Sequence, residues 1–294
     1  MNLIKHTLKG QEMKTDFHAK ASLVCLLGLL VLSASCCVNI GSCAMLAKYE
    51  RIVQLSAPLQ KGGTFAAITH NGFINVNGLE TTECNLTATI VARAATEETA
   101  RELAESTNIK LEPVGDKLTV KIEKPTRWPN QSISVSLDVT VPNHTNLQLT
   151  THNGAVTIAD IEGEIQATTH NGKIKTFQSS GSIMLHTHNG KVICDDIAGD
   201  VRLKTHNGGI DLCYSQIAES VCNISAVTHN GSIDFTAPPD LSAAVEVSTH
   251  NGSIRTELPI TVTGKVSKNK LTGMIGTGQG KLHLETHNGS IKIR

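Results

Sequence analysis

Aromatic side chains are scarce in this 294-residue chain: tryptophan, tyrosine and phenylalanine make up 3% of it, with one tryptophan, Trp128. That argues against a thick layered core filled by bulky rings, whereas a narrow core of Ile, Val, Leu, Ala and Thr needs few of them. Net charge is missing too, since 26 acidic residues balance 26 basic ones. With it goes the basic stripe that a nucleic-acid partner calls for. There is no Cys-x-x-Cys pair, which argues against a zinc ribbon. There is no phosphate-binding loop either, because the Gly-rich run 273–280 lacks the Lys-Ser/Thr ending. Long apolar runs are also absent: the stretch Ala21–Ser35 is short for a membrane span.

What the chain has instead is repetition. Thr-His-Asn-Gly occurs eight times, as Thr69-His70-Asn71-Gly72, Thr151-His152-Asn153-Gly154, Thr169-His170-Asn171-Gly172, Thr187-His188-Asn189-Gly190, Thr205-His206-Asn207-Gly208, Thr228-His229-Asn230-Gly231, Thr249-His250-Asn251-Gly252 and Thr286-His287-Asn288-Gly289. A repeat this regular decides the fold before any other signal. Nine positions before each motif glycine stands a small or nearly small residue: Gly63, Thr145, Gly163, Gly181, Gly199, Cys222, Ala243 and Gly280. Two and four residues after that slot every copy is apolar, as at Ile165 and Ala167, and the residue two beyond the motif glycine is always Ile or Val. The unit is small-x-Φ-x-Φ-x-Thr-His-Asn-Gly-x-Φ, the period-2 signal of a strand with one buried face.

From Gly154 to Gly208 the glycines fall every nine residues, one short strand and one turn per beat. Two beats separate neighbouring motifs, which predicts a solenoid coil of two strands and two corners. One corner is Asn-Gly, suited by its tolerance of φ > 0; the other is looser, as at Ile161-Glu162-Gly163. Independent Asn-Gly hairpins explain the fixed interval less well than a stack does. With the aliphatics inward, parity turns each motif Thr inward and each His outward, beside Glu164, Lys173, Lys175, Asp200, Arg202 and Lys204. Coils stacked at about 4.8 Å then align the imidazoles in an outer column. The inward hydroxyls require partners, from backbone carbonyls or an Asn column, because an unpaired one costs about 1–3 kcal/mol.

Three segments follow from the change of pattern. Residues 1–43 read as a signal peptide or lipoprotein signal, with lysines at 5, 9, 14 and 20 ahead of the apolar run. Ile40-Gly41-Ser42-Cys43 resembles a bacterial lipobox, Cys36 is a poorer lipidation candidate, and an uncleaved signal anchor is the remaining alternative. All three place the repeats outside the cytoplasm, in the cell envelope. Residues 44–142 read as an N-terminal capping region. Its strands are expected over 64–76, 85–93, 116–123 and 132–141, with one helix within 96–108 that Thr96 caps and Glu97 and Glu98 support. The helix is expected to cover an open sheet end. Residues 143–294 carry the repeats, with longer intervals after Gly208, Gly231 and Gly252 that predict loops bulging from a corner. The fold class is mainly β: a β-solenoid or β-helix-like stack of short strands behind an α+β cap.

Cys84, Cys194, Cys213 and Cys222 fall in the mature part. In an oxidising compartment they allow up to two disulfides in three pairings. Cys194 occupies an inward slot and reads as a buried free thiol, and a bridge from Cys213 to Cys222 across the expanded interval is an alternative.

The run from Asn269 to Arg294, together with Val139-Thr140-Val141-Pro142 leading into Leu147–Gly154, resembles the bacterial candidate-adhesin family of β-strand-repeat domains, a family of unknown function. The resemblance covers roughly 63–294, and its Thr-x-Asn-Gly-x-Ile repeats and Gly-rich ending are specific only in combination. It implies a surface-exposed β-solenoid-like domain and brings no catalytic residues. This chain departs from the family pattern by placing His in the x position of every copy.

No enzyme, cofactor or metal is expected. Imidazole is a common metal ligand, but rings stacked along one face do not converge on a tetrahedral centre. The best enzymatic case is Asp160 and Asp196, two coils apart at about 9–10 Å, the upper end of the spacing for inverting glycoside hydrolysis. Corner carboxylates more often serve their own turn, and no nucleophile–base pair accompanies them. The reading is therefore an exported, lipid-anchored, adhesin-like binding module whose partner is a glycan, an envelope polymer or a protein, reached with no nucleic acid involved. An envelope structural or sensory module is the alternative.

Overall fold

The computed structural model describes residues 28–30, 46–126, 130–262 and 267–294. Cys36, Cys43 and Trp128 lie outside the described residues, as does most of the proposed signal segment. Within that segment the three residues Gly28–Leu30 form a strand antiparallel to 52–54.

Each regular coil has a long strand and a short one, such as Glu162–Asn171 and Ile174–Phe177. Long strands pair in parallel in one sheet and short strands in a second, with Ile165 over Leu147 and under Ile183, and Ile174 between Val156 and Val192. The 18-residue turns thus superimpose residue on residue. The alternate residues of both sheets face each other and are fully or almost fully buried, from Phe65 and Leu147 through Ile183 and Val201 to Leu282. Among the described residues Phe65, Tyr214 and Phe235 contribute the buried aromatic rings of Phe and Tyr, so the thin core expected from the lack of aromatics is what forms. The chain is a β-solenoid with one helix among the described residues.

The first coil, Thr64–Asn71 with Ile74–Leu79, is separated from the others by some 70 residues of sequence but pairs in register with Asn146–Asn153 and Val156–Ala159. The intervening residues close the stack at that end. Ser132–Pro142 continues the short-strand sheet in parallel, then Glu83–Ala94 and Ala47–Pro58 extend it antiparallel. Lys117–Glu123 extends the long-strand sheet and folds back as a hairpin with Asn108–Val114. Ala47–Pro58 and Asn108–Val114 are strands that the sequence reading did not anticipate.

Helix Glu97–Glu105 is capped by Thr96, whose hydroxyl accepts from the Thr99 amide at 3.2 Å. At its other end the Arg51 guanidinium donates to the carbonyls of Ala104, Glu105 and Thr107, adding to the bond that Ala104 accepts from the Thr107 amide. The helix buries Ala100, Leu103 and Ala104 in the common core, packed on the strands Ala47–Pro58 and Glu83–Ala94. It therefore packs on the end of the short-strand sheet, to which both strands belong.

At the other end the stacking order departs from chain order. Gly280–Asn288 lies between Asn223–Asn230 and Ala243–Asn251, parallel to both, and Ile291–Ile293 likewise lies between Ile233–Thr236 and Ile254–Thr256. A sequential run of coils to the end of the repeats is thus corrected: residues 280–293 form the penultimate coil. The strand Lys270–Ile275 covers the outer side of Ala243–Asn251 in antiparallel pairing, followed by Thr261–Val262.

The four described cysteines are free thiols, so the disulfide alternatives are not realised. Cys213 faces outward on the strand Ile210–Tyr214, whereas Cys222 is buried near the Tyr214 hydroxyl, so the two point away from a common bridge. Cys194 is buried in its inward slot, and burial pushes the Cys84 thiol up to about 12.

Candidate functional site

The repeated tetrapeptide builds three columns, each with its own chemistry. The motif threonines are buried, and each hydroxyl donates to the carbonyl of the motif glycine one coil away, as from Thr169 to Gly154 and from Thr187 to Gly172, both at 2.9 Å. In the first coil Thr69 uses Val135 instead, at 2.9 Å. The inward hydroxyls thus find backbone carbonyls, one of the two expected sources.

The motif asparagines form an amide ladder. Each Nδ2 donates to the Oδ1 of the coil before it in the stack, running Asn153 to Asn71, Asn171 to Asn153, Asn189 to Asn171 and Asn207 to Asn189, all at 2.8 Å. The ladder continues through Asn230 and Asn288 to Asn251 at 2.7–2.8 Å. All seven bonds point the same way, an arrangement in which each amide polarises the next.

The motif glycines serve proximity. A Cβ on Gly172 would stand 1.9 Å from the Gly154 carbonyl oxygen, and one on Gly190 the same distance from that of Gly172. The expectation that Asn-Gly supplies left-handed backbone is corrected: apart from Gly72, no motif residue has φ in that region. The left-handed residues sit at the opposite corner, at Asp160, Gln178 and Asp196, with φ of 58°, 43° and 55°. The short side chains of Asp160 and Asp196 tolerate that backbone. This gives the two aspartates a turn-forming role.

The motif histidines stack on the outer face of the long-strand sheet in the order 70, 152, 170, 188, 206, 229, 287, 250. Neighbouring ring centroids are 4.6–4.9 Å apart. From His170 onward the rings lie within 8° of parallel. Seven of the eight are exposed and His188 is half-buried. Side by side, these rings present edges to solvent and share no central point, and among the described residues no three His, Cys, Asp or Glu converge as metal ligands.

Register places further outward side chains beside this column. Two residues upstream run Ile68, Thr150, Thr168, His186, Lys204, Val227, Glu285 and Ser248. His186 and Lys204, with His188, His206, His229, His287 and Glu285, border one shallow depression of the face. Arg202, Asp200, Lys281 and His283 border a second. Burial, then the charges of Lys204 and His188, lower the His186 pKa from its ordinary value. Lys173 and Lys191 stand at the corner beyond the Asn ladder, and Lys191 pairs with Asp211 at 2.5 Å. His186 and His283 lie outside the tetrapeptide and were not singled out from sequence. Their outward phase on period-2 strands is the signal that could have found them.

A family profile described as Toastrack DUF4097 matches residues 104–294. No curated protein matches the chain. Among solved structures the chain is similar to a candidate cell adhesion protein from Clostridium sporogenes, at 12% identity over 84% of this chain and 98% of that one, with a TM-score of 0.37. It is also similar to a candidate adhesin from Bacteroides fragilis, at 11% identity over 83% and 97%, with a TM-score of 0.35. A candidate lipid-binding protein from Parabacteroides distasonis follows at 10% identity over 84% and 97%, with a TM-score of 0.33.

Proposed function

This chain belongs to the Toastrack DUF4097 family, and from that we propose that it is a non-enzymatic, adhesin-like binding module exposed in the cell envelope. The observation that carries the reading is the outer face of the long-strand sheet, where the same imidazole and amide recur eight times at strand spacing. Such a face offers a row of equivalent hydrogen-bonding groups to an extended partner and no enclosed site in which one bond could be singled out for reaction. Its partner is a surface ligand of the envelope, a glycan or other polymer, and the chain is held at the membrane through an N-terminal lipid at Cys43 or Cys36 or through an uncleaved signal anchor.

The test is co-sedimentation of the purified repeats with isolated envelope polymers, from pH 5 to 8, beside a variant lacking 216–220 and a face variant with Gln166→Ala, Thr168→Ala and Arg202→Ala. The reading expects binding that survives the loop deletion and weakens in the face variant. Absence of binding to every polymer over the whole pH range, or turnover of a bound polymer, would overturn it.

A further inference from the structure

The eight-ring column has a property that an adhesive surface of hydroxyls or amides lacks: its charge depends on pH. Imidazole changes charge between about pH 5 and 8. Here eight such groups follow one another in a single row, about 34 Å along the successive centroids, one ring per strand spacing. We infer that the row is a pH-gated binding site for a linear acidic polysaccharide, one that carries carboxylates along an extended chain. The inference rests on the binding reading above and names the ligand class for the same face.

Two features select the charge of the ligand. Neutral sugars are commonly held by stacking on aromatic rings, and nucleic-acid bases likewise require such platforms. Among the described residues this face has no Phe, Tyr or Trp, since Phe65, Tyr214 and Phe235 are buried, Tyr49 and Phe177 belong to the short-strand sheet and Phe73 stands at the corner, and the imidazoles stack on one another's faces. Recognition must therefore come from charge and hydrogen bonds. The flanking charges favour an anion before any histidine is protonated. Lys204 lies on one side and Lys173 and Lys191 on the other, and the acidic neighbours are Glu285, which is shared with His283 at 3.4 Å, and Asp211. Lys191 is partly neutralised by Asp211.

Geometry also explains why the gate needs its ligand. Like charges on adjacent strands repel one another. A carboxylate laid against each pair relieves that repulsion, and binding and proton uptake then reinforce one another as pH falls. The Asn ladder beside the rings repeats at the same strand spacing and keeps the column in register.

The experiment measures binding of the full chain to polygalacturonate, neutral dextran and a single-stranded oligodeoxynucleotide at pH 7.5 and 5.5 in low salt. Carboxylates of the polymer stay ionised at both values. Polygalacturonate is expected to bind at least tenfold more tightly at pH 5.5, with added salt weakening it, while dextran stays unbound. The variant His170→Gln, His188→Gln, His206→Gln, shown by circular dichroism to keep its sheet, is expected to lose most of the pH dependence; the single variant Lys204→Gln is expected to weaken binding at both pH values equally. Affinity for polygalacturonate that is the same at both pH values, or equal for dextran, overturns the gate while leaving a binding module intact. Oligonucleotide binding as tight as that of the polysaccharide overturns the ligand class.

Discussion

The imidazole of His229 lies against that of His287, centroids 4.7 Å apart and 7° from parallel, while His250 stacks on the far side of His287 at 4.6 Å. The later coil of the chain separates two that precede it, with Ser225 level with His283 and His283 level with Glu246. Cysteines at Ser225 and His283 should therefore join under mild oxidation, whereas cysteines at Ser225 and Glu246 should not. Mass spectrometry of the two double variants checks this, and a bridge in the second pair only would mean the coils stack in chain order.

Gly172→Ala should be among the most damaging single changes in the repeats. The new methyl would meet a neighbouring backbone carbonyl at 1.9 Å, with no flexible side chain to yield. Separating the coils would also strain the ladder bonds of Asn171 on both sides. Overpacking of this kind costs about 1–3 kcal/mol, and a denaturation curve should show a loss at the upper end of that range.

The periodic residues were enough to lay out the stack: the strand phase, the inward Thr and the imidazole column all follow from positions two and nine residues apart. The reason for each glycine did not. Close approach and left-handed backbone both favour glycine, and only the neighbouring coil distinguishes them, as the opposite corner with Asp160, Gln178 and Asp196 makes plain. Ala47–Pro58 was overlooked because its alternation begins within mixed residues, and its pairing partner, Glu83–Ala94, is remote in sequence. Nor could local pattern reveal that residues 280–293 sit out of turn, since every coil presents the same edge to its neighbours and register alone accepts either order.

Thr176→Val should stabilise the protein. The Thr176 hydroxyl is fully buried in the short-strand sheet and has no hydrogen-bond partner. Its column neighbours are Ile158 and Cys194. Valine keeps the shape and removes an unpaired polar group, a gain of about 1 kcal/mol. A melting temperature unchanged or lowered would show that the hydroxyl is satisfied in solution.

Stability should fall with acidification in a way that involves His186. Its pKa is lowered by burial first, then by Lys204 and His188. The unfolded chain, with an imidazole near pH 6.5, then binds more protons than the folded one, so the contribution held above that pH is lost as pH falls through the lower folded value. Because the ring is largely exposed, solvent screening keeps the effect well under about 1 kcal/mol. Melting temperatures at pH 7.5 and 5.5 should differ less in His186→Gln than in the parent; an equal difference would assign the acid sensitivity elsewhere.

The strand that fills the gap between Asn223–Asn230 and Ala243–Asn251 is made after both of them. A nascent chain emerging from the ribosome or a translocation channel therefore reaches a stage at which most coils can assemble while two parallel edges still await a filler. Until that filler arrives the pair is open to any passing strand, including one from a sibling chain. Chaperone dependence and accidental exchange between molecules should concentrate at this late step, and a translation stop anywhere in the 270s would leave a product with its adhesive edges permanently bare.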